Sequence, residues 1–269
     1  MTLTACSTYS FLWDRPLREA LYELAQLGFA GVELMASAPH MDMDNAGEWV
    51  TATLEAQRAS GIPILGVNPP GLDLNLASTD PDWRRLSQSQ YCRAAAMAGD
   101  IGAKYLVVVP GRRHPLLPCP VEAAVGWFEE SLELIHRTAS RSGLTVVLEN
   151  TPSNFLDSAV ELVELLKRVA IPDLGICYDV ANGFMVENPK RGLEVVDEFL
   201  SVVHLSDTTR ARWRHDPIGN GDVSWPEVHE ATTNATGQPV TVLETIHLQN
   251  IGRGLQRDLD TLRDSGWMD

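Results

Sequence analysis

Short apolar runs rich in β-branched residues recur eight times along the chain, and each gives way to a longer amphipathic stretch. The runs are Leu3–Ser7, Gly31–Met35, Ile62–Val67, Tyr105–Val109, Thr145–Leu148, Leu174–Tyr178, Ser201–Leu205 and Pro239–Leu243. The stretches after them read as helices over Pro16–Leu27, Glu48–Ser60, Trp83–Ala98, Val121–Ser142, Ser158–Val169, Leu193–Phe199, Pro226–Thr236 and Gly254–Asp264. Gly28, Gly61, Gly99 and Gly143 stand where four of these helices stop, the place where a left-handed terminal residue is favoured. Continuous apolar strands alternating with helices require a parallel sheet covered on both faces. Eight such units consume 269 residues and predict one (β/α)8 barrel, a single TIM-barrel domain over residues 1–269. No linker, repeat of low complexity or composition break divides the chain. A doubly wound open sheet is the structural alternative, but no GxGxxG follows the first run.

Composition narrows the partners. With 36 acidic against 21 basic side chains, the net charge is −15, which repels phosphate backbones and argues against nucleic acid. No apolar run approaches the roughly 18–20 residues needed to cross a bilayer, so no membrane partner is expected. The N-terminus lacks the basic start of a secretion signal. Cys6, Cys92, Cys119 and Cys177 are scattered without CxxC spacing, as in a reduced cytoplasmic protein. A homo-oligomer is compatible with all of this and is not specified by it.

A barrel of this kind places its chemistry at the C-terminal ends of the strands. The fifth run is followed by Glu149-Asn150, the sixth by Asp179-Val-Ala-Asn182 and the eighth by Glu244; the seventh contains His204. Singly, each has an ordinary explanation: a carboxylate there can cap a helix, and a histidine in an apolar strand is usually a hydrogen-bonded core residue. Together, four neighbouring strands deliver three carboxylates and one imidazole to one end of the barrel. Such carboxylates repel one another unless a cation holds them. Oxygen donors with one imidazole and no thiolate suit a divalent ion, Mn²⁺ first, with Mg²⁺, Co²⁺ or Zn²⁺ as alternatives.

These residues carry a family resemblance that spans nearly the whole chain. The stretch from His204 to Trp225 is similar to the ketose 3-epimerase branch of the xylose-isomerase-like barrels, sugar isomerases and epimerases. There a metal-binding histidine is followed six residues later by an arginine and then by P-x-G-x-G-x-[IV]-x-W; here these are His204, Arg210 and Pro217–Trp225. Gly31-Val-Glu-Leu34, Leu148-Glu-Asn150 and Tyr178-Asp179 also look familial. The resemblance implies that Glu149, Asp179, His204 and Glu244 ligate the metal. Many members carry Asp-x-x-His after the sixth strand, and in the endonuclease IV branch that histidine helps build a multinuclear zinc site. Here the position is Asn182, a poor metal ligand that can bond substrate hydroxyls, and with the acidic charge this turns the reading from DNA repair toward small sugars.

The chemistry implied is proton transfer beside a carbonyl, with Glu149 and Glu244 as paired acid–base groups and a Lewis acid stabilising the enediolate. Asn182, Glu33, Asn68, His40 and His114 are candidate substrate contacts placed by the run pattern near the same end of the barrel, with Glu33 alternatively bonding groups at the barrel mouth; the resemblance adds Arg210, which its spacing from His204 favours over Arg212 and Arg214. A dehydratase acting on an inosose or dehydroshikimate is the alternative; it starts with the same proton abstraction and needs an acid for the departing hydroxyl, for which His114 or His40 is suited. A nuclease or a non-catalytic metal-binding subunit is the third reading. Asp207 is expected behind the metal ligands, Trp225 in packing, and Gly219 and Gly221 either in a close approach to the pocket or in an ordinary turn.

Overall fold

The computed structural model describes residues 5–169 and 171–267. The first predicted strand therefore begins in part outside the described residues, at Leu3 and Thr4. The strands are β1 Ala5–Ser7, β2 Gly31–Met35, β3 Ile64–Asn68, β4 Tyr105–Val108, β5 Thr145–Glu149, β6 Leu174–Asp179, β7 Leu200–Leu205, β8 Asp207–Thr209, β9 Arg212–Asp216 and β10 Val240–Leu243. The helices are α1 Leu17–Gln26, α2 Ala46–Ser60, α3 Pro81–Asp100, α4 Val121–Arg141, α5 Ala159–Val169, α6 Val180–Val186, α7 Pro189–Val196, α8 Trp225–Asn234 and α9 Ile251–Asp264. Eight strands, all paired in parallel, close a barrel in the order β1-β10-β7-β6-β5-β4-β3-β2. Helices between successive strands make it a (β/α)8 barrel, as the alternating runs predict.

Two apolar layers follow from the pleat. One set of strand residues packs outward against the helices; the other, including Ala5, Tyr105, Val107, Val147, Cys177, Val202 and Val242, fills the barrel interior. Side chains on a strand repeat their direction every second residue. Val147, Cys177, Val202 and Val242 therefore share a face with Glu149, Asp179, His204 and Glu244, each two residues further on. The apolar plug becomes the floor beneath a polar ring, and the register aligns the ring: Asp179 pairs with His204, and His204 with Val242.

Two features depart from the predicted layout. Between β6 and β7 stand two helices, α6 and α7, where one was expected. After β7 the chain forms an antiparallel hairpin, β8–β9, before reaching α8. Asp207 anchors that excursion rather than the metal ligands: Oδ1 accepts from the backbone N–H groups of Thr208 and Val223, and Oδ2 from Gly219 N–H and the Trp225 indole. Gly221 runs so close to β8 that a Cβ would overlap Asp207 Oδ1 and the Thr208 carbonyl, so the glycine serves a close approach, made against the hairpin. Trp225 is buried and packs edge-on to Trp267. Among the described residues no helix is long and apolar enough to cross a membrane.

Candidate active site

Glu149, Asp179, His204 and Glu244 converge at the C-terminal mouth of the barrel, each offering one ligand atom within 4.8 Å of the others, and all four are buried. The chain fixes each by a separate device. Asp179 is the N-cap of α6, its Oδ1 accepting from Asn182 N–H at 2.6 Å. The capping and ligand readings of this residue are thus both accommodated, because the second oxygen, Oδ2, is left buried without a partner. Asn150 ties the ends of β5 and β6 by exchanging two hydrogen bonds with the Asp179 backbone. Glu149 Oε1 accepts from Asn182 Nδ2 at 3.2 Å, and the Trp213 indole N–H holds Asn182 Oδ1 at 2.7 Å. Glu244 accepts from Asn68 Nδ2 at 3.3 Å through Oε1, and its Oε2 lies 3.3 Å from His215 Nδ1.

His204 stands at the centre. Its Nε2 is 3.0 Å from Glu33 Oε2, which also accepts from the Tyr105 hydroxyl at 2.9 Å. A carboxylate only accepts, so Nε2 donates and Nδ1 faces the ring. Nδ1 lies 3.2 Å from Glu244, 3.7 Å from Glu149 and 3.8 Å from Asp179, yet it is buried and makes no hydrogen bond. Leaving two buried polar atoms unsatisfied costs about 1–3 kcal/mol each. A divalent cation among the four side chains would satisfy both, and an O,O,O,N donor set with an outer carboxylate orienting the imidazole suits it.

Electrostatics divide the carboxylates. Burial, reinforced by Glu244 and Asp179, pushes the Glu149 carboxyl up to about 7. Burial also raises Asp179. Glu244 is buried too, but His204 and His215 hold it well below the usual carboxylate range. Against their own burial, the surrounding acidic groups raise both imidazoles: His204 well above its ordinary value through Cys177, Glu33 and Glu244, and His215 to about 9 through Asp179 and Glu244.

Above the ring opens a cleft of about 480 Å³, lined among others by Asn68, Glu149, Asn182, Trp213, Arg214, His215 and Glu244. Asn68 and Asn182 thus lie where the sequence expects pocket contacts. Glu33 instead lies fully buried under the ring, bonded to His204, Tyr105 and Asn68, and lines no cleft wall. His40 is buried away from the cleft, its Nε2 on the Arg15 carbonyl and its own carbonyl accepting from the Trp49 indole. His114 is exposed in the loop after β4, its Nδ1 accepting from the Leu116 and Leu117 N–H groups beside a shallow surface hollow. Arg210 sits at the exposed hairpin turn, stacked 4.4 Å over Phe184 and donating to the Glu187 carbonyl. The sequence reading passed over Trp213 and His215 and preferred Arg210 to Arg214 on its spacing from His204. Their signal was the alternating pattern of 212–216, which an antiparallel hairpin would carry back over the barrel mouth.

The family model described as xylose isomerase-like TIM barrel matches residues 21–265. A fructoselysine 3-epimerase from Escherichia coli O157:H7 is 24% identical over 223 residues, 79% of each chain. Among solved structures, a D-tagatose 3-epimerase-like protein superposes with a TM-score of 0.83 at 22% identity, covering 99% of this chain and 100% of the other. A 3-keto-D-glucoside 4-epimerase from E. coli does so with 0.82 at 18%, covering 98% and 100%. At these identities the structural likeness establishes a shared fold. Matched over most of its length, the chain belongs to the xylose isomerase-like TIM-barrel family.

Proposed function

We propose that this protein is a divalent-metal-dependent epimerase or isomerase of a small keto sugar or related polyhydroxy carbonyl compound. The observation that carries the reading is the pair Glu149 and Glu244, two carboxyls of one buried four-residue ring at the floor of an open cleft. The epimerase relatives named above support the same class. Glu149, Asp179, His204 and Glu244 would hold the cation. When bound, it would polarise the substrate carbonyl and stabilise the negative charge that develops as the neighbouring C–H proton leaves.

The protein's own groups would move the proton. Glu149 and Glu244 both line the cleft, where a carboxylate can meet a substrate carbon directly. Asn182 orients Glu149 from one side, while Asn68 and His215 hold Glu244. One carboxylate would remove the proton from carbon and the other would return one to the opposite face, inverting that centre; return to the adjacent carbon would give isomerisation. Loss of water would need an acid at the departing hydroxyl. The two histidines suited to it by sequence, His40 and His114, lie outside the cleft, whereas His215 lines it, so product mass decides between epimerase and dehydratase.

The test is exchange of substrate hydrogen with D₂O over a panel of ketoses, inososes and their phosphates with Mn²⁺ added, scored also by product mass. Exchange without loss of water is expected, and Glu149→Gln or Glu244→Gln should abolish it. Exchange retained in both variants would refute the mechanism. Purified protein that binds no divalent metal would refute the metal site.

A further inference from the structure

Carboxylates line the cleft above the ring, the smaller cleft beside it, the hollow between α1 and α9 and the one between α7 and α8, as a net charge of −15 leads one to expect. A further hollow of about 180 Å³ has none. Its walls are the loop after β3, with Ser78 and Thr79, and the loop after β4, with Arg112, Arg113 and His114. In the two clefts at the mouth each arginine is answered by a carboxylate, Arg93 by Asp44 and Arg214 by Asp216. Among the described residues no carboxylate lies within ion-pair reach of Arg112 or Arg113. A third cation stands beside them: Arg84, stacked 4.6 Å over Trp127, donates to the Ser78 and Thr79 carbonyls. The acid next in sequence, Asp80, is engaged as the N-cap of α3.

The hollow is built into the fold. The Asn75 side chain exchanges two hydrogen bonds with the Arg112 backbone, and Asn75 N–H is held by Ser87. Gly111, at φ 102°, runs so close to Asn75 that a Cβ would overlap its Oδ1. Arg112 gives one guanidinium N–H to the Leu72 carbonyl and Arg113 one to the Cys119 carbonyl, which anchors both forks and leaves their other donors for a ligand. His114 Nδ1 accepts from Leu116 and Leu117 N–H, so the neutral ring carries its proton on Nε2. The Ser78 hydroxyl accepts from Asp80 N–H and keeps its own proton to donate.

Guanidinium forks, an imidazole N–H and hydroxyls thus gather on two walls with no anion among them. Held in place before a ligand arrives, such donors cost little to order. A carboxylate offers two oxygens in one plane; a phosphoryl group offers three, spread tetrahedrally, with more charge, and suits donors arriving from two loops. We propose that the hollow between the loops after β3 and β4 binds a phosphoryl group. Arginine is the residue best matched to that geometry. Leu72, whose carbonyl anchors Arg112, also lines the cleft above the ring, so the phosphoryl group has two sources: the far end of a phosphorylated substrate, or a separate small phosphate.

Calorimetric titration of the purified protein with inorganic phosphate at fixed ionic strength tests the site without turnover. Saturable binding is expected, weakened about tenfold or more in Arg112→Gln and in Arg113→Gln and unchanged in Arg257→Gln, an exposed arginine on α9. No saturable binding overturns the proposal. So does binding untouched by both substitutions, which puts the phosphate on a ring cation or elsewhere, or binding weakened equally by Arg257→Gln, which reduces it to net charge. If either glutamine variant melts early, Thr79→Val decides instead: weaker phosphate binding supports the site, and parental binding overturns it. D-fructose 6-phosphate and D-fructose separate the sources. A sugar phosphate that binds more tightly than both inorganic phosphate and the free sugar, and loses that margin in Arg112→Gln, is read as one ligand spanning hollow and cleft. Equal binding of inorganic phosphate and sugar phosphate, with D-fructose unaffected by phosphate, supports a separate anion. Absence of isotope exchange with any ketose removes the proposed function and leaves this site standing.

Discussion

Glu33 makes the sharpest test of how the ring is held. Its two oxygens meet three donors: His204 Nε2 at 3.0 Å and the Tyr105 hydroxyl at 2.9 Å on Oε2, and Asn68 Nδ2 at 3.1 Å on Oε1. Glu33→Gln preserves size but keeps only one acceptor oxygen. If that oxygen stays on His204 and Tyr105, the new amide nitrogen faces Asn68 Nδ2, donor against donor. Asn68 must then turn its oxygen inward and give up its bond to Glu244. Bonds made to a carboxylate are roughly twice as strong as neutral ones, so the change weakens the hold on His204 by about 1–3 kcal/mol. That agrees with the roughly 10–100-fold loss of metal affinity typical when an outer partner of a ligating histidine is altered. The assay is Mn²⁺ titration against a competing chelator at fixed pH, with melting of the metal-free protein as control. Glu33→Ala is the poorer probe, because it orphans three buried donors at about 1–3 kcal/mol each. A folded Glu33→Gln protein with parental metal affinity would refute the claim that Glu33 orients His204.

Three further outcomes follow from the same geometry. In metal-free protein, Glu149 raised to about 7 keeps a proton that the unfolded chain has lost above 4.5, and His204 and His215, the latter raised to about 9, keep protons lost above 6.5. Below about 6.5 His40 and His229, lowered by burial, offset this; above it the folded state binds more protons, so its Tm should fall as pH rises from about 7 to about 9; a cation displaces those protons, so the Tm gain with Mn²⁺ should grow with pH, and a gain independent of pH would contradict the assignment. Trp213→Phe removes the indole donor to Asn182, a bond worth about 0.5–1.5 kcal/mol, and should lower kcat/KM by roughly 2–12-fold with metal content unchanged; loss of metal in step with activity would show that Trp213 serves retention instead. Gly221→Ala forces a Cβ into Asp207 and the Thr208 carbonyl and should cost about 1–3 kcal/mol in thermal or denaturant unfolding; a neutral effect would mean that the hairpin yields easily.

The barrel was legible in eight continuous apolar runs alternating with amphipathic stretches, and the ring in the residues at the ends of four of those runs, where the pleat then decides which way they face. Val147/Glu149, Cys177/Asp179, Val202/His204 and Val242/Glu244 each put a barrel-filling side chain and a ring side chain on one strand face, and the strand ends fix where that face meets solvent. What was not legible depends on loops, whose direction no periodicity sets. His40 and His114 follow β2 and β4 in sequence, but one turns inward to the Arg15 carbonyl and the other outward to its own loop. Spacing from His204 favoured Arg210 as the substrate contact, yet that spacing ignores the reversal of the chain at β8–β9, which leaves Arg210 at the turn and brings Trp213 and His215 back over the ring. Glu33 had two readings, a substrate contact or a partner of barrel-mouth groups, and the structure shows the second. It has the strand position of a mouth residue, but its partners Tyr105 and His204 come from β4 and β7, elements 72 and 171 residues away, and only barrel closure brings them to it. A position within a strand is a local property and can be read from one segment. A partner across the barrel belongs to the closed ring, and it decides whether the same carboxylate meets a substrate or steers a ligand.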